Sequence, residues 1–172
     1  MRKLLISLLI IGFSTMVMAA PEAAATPKLK TVGEGSYRYL FWQLYDARLA
    51  STSGTFSDYQ QSRPLMLELT YKRDISKKEF IDATVDQWQE LGHSTEQQQQ
   101  AWAATLDELW RDVTEGDRLA ALLTEQGLVR FYFNDTDIGV VEDAEFAPAF
   151  FDIWLHPDTT APKLRRQLLA TE

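Results

Sequence analysis

A single arginine set among aromatic residues is the first feature that suggests chemistry. Tyr37, Tyr39, Phe41, Trp42 and Tyr45 fall within nine residues and surround Arg38. A guanidinium beside phenol hydroxyls can hold a carboxylate or phenolate through charge-assisted hydrogen bonds. An adjoining apolar strand face would take the body of an amphipathic ligand. Arg38 and Tyr45 are therefore the candidate ligand-binding residues. The competing reading is a core strand whose arginine lays its stem on apolar surface and keeps its head in water.

Other chemistries find few residues to work with. The chain carries no nucleophile-elbow, zinc-protease, P-loop or dinucleotide-binding motif. It has no Cys, and its two histidines, His93 and His156, are distant in sequence and read as loop or cap residues. Neither a metal nor a cofactor is expected. Acidic clusters at Asp112, Glu115 and Asp117, and at Glu142, Asp143 and Glu145, sit beside turn residues. They read as solvated turns and helix starts. No catalytic residue is assigned.

The elements that must position Arg38 and Tyr45 follow from periodicity. Tyr37 to Leu49 reads as one strand, or two sharing a bend, apolar on both alternating sets and so in need of cover on both faces. Gly33 and Gly35 punctuate its entry. Leu65, Leu67, Leu69 and Tyr71 alternate with Met66, Glu68 and Thr70 as in a half-buried strand. Ser76 to Glu79 and Thr95 to Gln98 are capping boxes that open two amphipathic helices, the first closing at Gly92. Leu119–Leu123 and Leu128–Phe133 form a hairpin around Glu125-Gln126-Gly127, and Ile138–Val141 adds a strand. Two helices follow, Ala144 to Phe151 and Pro162 to Ala170. Strands, helices, strands and helices in blocks make an α+β layer, not alternating βαβ units.

The N-terminus reads as a secretory signal peptide over residues 1–19. Arg2 and Lys3 precede an apolar run from Leu4 to Val17, and Val17-Met18-Ala19 offers small residues for cleavage after Ala19, with Ala20 a close second. The run is shorter than the ~20 residues of a spanning helix. Residues 20–29 read as a flexible leading segment and 30–172 as one domain, placed in the periplasm or outside the cell. Losing Arg2 and Lys3 takes the formal net charge from -8 to -10. Such a charge repels phosphate backbones, so nucleic acid is not an expected partner.

Several segments together resemble the bacterial, exported branch of the chalcone isomerase-like family. They are Gly33-x-Gly35-x-x-Arg38, Leu44-Tyr45-Asp46-Ala47-Arg48-Leu49, Leu67-x-Leu69-x-Tyr71-x-Arg73-x-Ile75, Trp110-x-x-Val113-x-x-Gly116-Asp117, and Phe146-Ala147-x-Ala149-Phe150-Phe151-x-Ile153-Trp154-Leu155 running into Leu164-Arg165-x-x-Leu168-Leu169. The resemblance implies an antiparallel β-sheet with helices layered on one face and a ligand cleft between the layers. Plant-type members of that family close a chalcone into a flavanone; relatives bind fatty acids or act as non-catalytic partners. Arg38 aligns with the family's arginine. Tyr45 stands where catalytic members have threonine, and Ala147 and Pro148 stand where a small hydroxyl residue opens the late helix. Their tyrosine and asparagine find no counterpart within Ser94 to Trp110. Ring closure needs a positioned phenolate and a stabilised enolate oxygen. The resemblance therefore implies a non-catalytic binding module for a small amphipathic ligand, a fatty acid or phenolic. An isomerase-type lyase and a structural partner are the alternatives.

Overall fold

The computed structural model describes residues 28–171. The expected signal peptide, and residues 20–27 of the leading segment, lie outside the described residues. The elements run β1 (Lys30–Tyr39), β2 (Trp42–Ser51), β3 (Leu65–Tyr71), α1 (Lys77–Leu91), α2 (Glu96–Leu109), β4 (Arg118–Leu123), β5 (Val129–Phe133), β6 (Thr136–Val141), α3 (Phe146–Leu155) and α4 (Pro162–Leu168). The strands form one antiparallel sheet in chain order, β1 to β6. The helices cover one face, as the α+β reading expects.

The sheet's two faces differ as their alternation dictates. Leu65, Leu67, Leu69 and Tyr71 point into the core, where Phe131, Phe146 and Phe150 pack with Trp88, Trp102 and Trp110. The other face carries ion pairs, among them Lys72 with Asp46 at 2.8 Å and Arg48 with Glu68 at 3.5 Å. A small apolar cluster of Met66, Ala120, Leu122 and Tyr132, with Leu29 against it, interrupts this polar face.

The segment Tyr37 to Leu49 is a hairpin, not one strand. Leu40 and Phe41 turn the chain, and Tyr39 pairs with Trp42. The first arm begins at Lys30, upstream of the start expected from the glycines. Gly33 and Gly35 are inside that arm because α4 lies on it. A Cβ at Gly33 would come within 2.2 Å of the Gln167 carbonyl oxygen, and one at Gly35 within 2.5 Å of the Gln167 side-chain oxygen. Glycine here admits a close helix rather than ending a strand.

Register then decides which side chains reach the core. Tyr37 pairs with Tyr45 and Arg38 with Gln43, so Leu44 is an extra residue, a β-bulge in β2. Tyr45 faces the helix side with Ala47 and Leu49, and the bulge beyond it sends Gln43 to the opposite side, where its amide donates to Asp46 at 2.7 Å. Asp46 also accepts from Ser36 at 2.6 Å.

Both capping boxes form. The Ser76 hydroxyl accepts from the Glu79 amide, and the Glu79 carboxylate accepts from the Ser76 amide at 3.0 Å. Thr95 and Gln98 repeat the exchange on α2. Gly92 closes α1 at φ 69°. Ser76→Ala should cost about 1 kcal/mol. In a domain of this size that lowers the melting temperature by about 3 °C, read by circular dichroism. Residues of the acidic clusters accept hydrogen bonds, one within a turn and two across the fold. Asp112 accepts from the Lys77 amide, Asp117 from the Thr114 amide, and Asp143 from the Trp102 indole.

Candidate functional site

Between the first three strands and the helices lies a cleft of about 520 Å³. Tyr37, Tyr45, Leu69 and Tyr71 form its sheet side; Phe80 and Thr84 of α1 and Ile153 and Trp154 of α3 form its helix side. Alternation places the sheet residues. Tyr71 belongs to the same inward set as Leu65, Leu67 and Leu69, and Tyr45, its direct partner in the β2–β3 register, faces the same side.

The cleft's interior chemistry is phenolic. Tyr45 stacks on Tyr37 with ring centroids 5.2 Å apart and meets the edge of Tyr71 at 6.1 Å. The Trp154 indole donates to the Tyr45 oxygen at 3.0 Å. The Tyr71 hydroxyl is fully buried and has no hydrogen-bond partner among the described residues. Burial pushes the Tyr71 hydroxyl's pKa well above the ordinary phenol value, and the neighbouring Tyr45 adds to it. Burial likewise raises Tyr45, against the opposing hydrogen bond from Trp154. Both stay neutral at ordinary pH and offer O–H donors, not bases. A buried hydroxyl without a partner is costly, and a ligand oxygen would relieve that cost.

The mouth has a different character. Tyr39, Arg73, Asp74 and Glu79 line it. The Arg73 guanidinium lies over the Trp42 ring, 5.2 Å from its centroid. Both carboxylates are already engaged: Glu79 accepts from the Ser76 hydroxyl at 2.7 Å, and Asp74 from the Glu115 amide at 3.0 Å.

The two residues singled out by sequence part company here. Tyr45 lines the cleft. Arg38 does not: it is exposed on the opposite face and donates to Gln43 at 3.4 Å. It borders a separate, more polar groove along β1 and α4, with Ser36, Lys163 and Gln167. Strand alternation explains this, since Arg38 lies between the inward-facing Tyr37 and Tyr39. The cation at the cleft mouth is Arg73 instead. Sequence reasoning also missed Tyr71 as a polar group, although the Leu65–Tyr71 alternation already pointed it inward.

The histidines, distant in sequence, meet in space. Their rings are 4.5 Å apart, and His93, Asp152 and His156 can bring one ligand atom each within 4.8 Å of the others. Tyr59 donates to Asp152 at 2.5 Å. His156 Nδ1 accepts from the Asp158 amide at 3.0 Å, so the neutral ring carries its proton on Nε2. Coordination through Nε2 would require that proton to move. His93 Nδ1 lies 3.9 Å from Asp152, so the three side chains meet where α1 and α3 end without a hydrogen bond between them.

This fold and cleft define a class. The chalcone isomerase-like family matches residues 26–170, and the chain belongs to that family. It is 31% identical over 162 residues to an uncharacterized protein of Haemophilus influenzae, covering 94% of this chain and 76% of that one. Among solved structures it is similar to an Arabidopsis thaliana fatty-acid binding protein, with a TM-score of 0.63 and 9% identity over 86% of this chain and 90% of that one. At that identity the likeness establishes the fold.

Proposed function

We propose that the protein is an exported, non-catalytic binding module whose cleft takes a small amphipathic molecule, a fatty acid or phenolic. One observation carries the reading: an apolar cleft of about 520 Å³ has in its wall the Tyr71 hydroxyl, sealed from solvent and without a partner among the described residues. The ligand's oxygen displaces the side chains that seal the Tyr71 hydroxyl, and accepts from it and from the free hydrogen of Tyr45. Its apolar body lies against Leu69, Phe80 and Ile153. The volume falls within the usual range for small-molecule pockets. The fatty-acid binding neighbour supports the same class of ligand. Neutral phenol O–H groups suit holding a ligand oxygen.

The test is displacement of a fluorescent fatty acid from protein stripped of co-purified lipid, with native mass spectrometry of the unstripped form. Tyr71→Phe should weaken binding by about tenfold, the worth of one strong hydrogen bond. Its thermal stability should hold or rise, because an unpartnered buried hydroxyl disappears. Arg38→Ala should leave affinity within a factor of two. Undiminished binding by Tyr71→Phe, or loss of binding in Arg38→Ala, would overturn this placement of the ligand.

A further inference from the structure

We propose that the β1–β2 hairpin tip inserts into the interface of an anionic lipid bilayer, holding the mouth of the cleft against the membrane. Tyr39, Leu40, Phe41 and Trp42 are 61%, 76%, 95% and 63% exposed, consecutive, and the large apolar side chains left most open among the described residues. Single exposed apolar residues are ordinary; four in a row at a protruding turn are not.

The turn itself is a second observation. A two-residue hairpin loop with positive φ at its first position favours glycine, asparagine or aspartate. The molecule's other two-residue hairpin obeys that rule: Asn134 and Asp135 have φ 47° and 67° between β5 and β6. At the tip, Leu40 takes φ 54°. A bulky side chain is held in a strained backbone where it contacts no core. Strain of this kind marks positions kept for contact rather than for folding.

Charge selects the occupant. The chain's formal charge is -8, yet Arg38 and Arg73 flank the tip and neither is in an ion pair among the described residues. Of the nearby carboxylates, Asp46 pairs with Lys72 at 2.8 Å, while Glu79 and Asp74 keep their charge as they accept from Ser76 and the Glu115 amide. Tyrosine and tryptophan concentrate at the membrane–water boundary, with leucine and phenylalanine reaching deeper. Basic residues beside them are drawn to anionic headgroups. Tyr39 and Arg73 belong to both the tip and the mouth, so insertion would seat the mouth at the lipid surface. Only this last step rests on the proposed ligand; insertion does not.

Trp42 makes the test selective. The other tryptophans, Trp88, Trp102, Trp110 and Trp154, are 1%, 4%, 4% and 5% exposed. The full chain is mixed with phosphatidylglycerol–phosphatidylethanolamine vesicles carrying brominated acyl chains, and tryptophan quenching is measured. The residues before Lys28 contain no tryptophan, so an apolar N-terminus adds no direct signal. Quenching with a blue-shifted Trp42 component is expected. The double variant Leu40→Ser, Phe41→Ser should lower vesicle partitioning at least tenfold, with an unchanged melting temperature. Replacing phosphatidylglycerol by phosphatidylcholine should weaken it several-fold. Unquenched wild type, equal quenching in the variant, or a dimer on light scattering that the variant abolishes without any vesicle binding would each overturn the proposal. Fatty-acid displacement in the absence of vesicles reports the cleft separately, so either reading can fail alone.

Discussion

Thr84→Trp should weaken fatty-acid binding severely while the fold stays intact. Thr84 is 6% exposed and faces the cleft from α1. Its hydroxyl donates only to the Phe80 carbonyl, one turn back on its own helix, at 2.9 Å. Removing that donor orphans nothing, since the carbonyl remains in the helical ladder. An indole grown from this position fills space that a ligand's apolar body would occupy. Overpacking normally costs 1–3 kcal/mol in a filled core, but here the cleft provides room. Fatty-acid affinity should fall by about 100-fold, or about 2.7 kcal/mol. The melting temperature should shift by no more than a few degrees. Unaltered affinity in a folded variant would place the ligand elsewhere.

Phe131→Ala should produce the largest loss of stability. Phe131 is fully buried on β5, between β4 and the edge strand β6. Its ring meets Trp110 at 5.5 Å, Phe146 at 6.2 Å and Phe150 at 5.3 Å, so it joins strand, α2 end and α3. Truncation forfeits the transfer free energy and leaves a cavity that rigid aromatic neighbours cannot close. Such substitutions cost 3–5 kcal/mol. A domain of this size should then melt about 10–15 °C lower. Chemical denaturation should show a reduced midpoint with an unchanged slope. A shift below 3 °C would mean that the aromatic layer repacks freely.

The layered architecture was readable because its signals are local. Ser76 with Glu79 and Thr95 with Gln98 fix two helix starts through bonds within four residues, and both form. The alternation from Leu65 to Tyr71 states which side faces the helices. The hairpin around Glu125-Gln126-Gly127 carries ordinary turn residues. What was illegible depended on distant contacts or on broken rules. Leu40-Phe41 has no turn chemistry, so the segment reads as one strand or two sharing a bend, and Arg38 and Tyr45 seem to share an environment. Strand parity puts them on different faces, because Arg38 adjoins Tyr37, the cross-strand partner of Tyr45. Gly33 and Gly35 looked like punctuation because the helix that needs their bareness lies more than a hundred residues onward. Arg73 reaches the cleft mouth from beyond the end of β3, in a segment without periodicity. His93 and His156 meet only because α1 and α3 end side by side.

The order of the strands has a kinetic consequence. Each strand's partner is the next one along the chain, so most of the ladder can zip by short closures that sacrifice little chain entropy. One seam differs: β3 must join β4 across residues 72–117, which contain α1 and α2. Two halves, one built from β1–β3 and the other from β4–β6, should therefore assemble quickly, and the rate-limiting event should be their docking along the Leu65–Thr70 edge. Substitutions on that seam, such as Leu67→Ala, should slow refolding more than equally costly changes inside either hairpin.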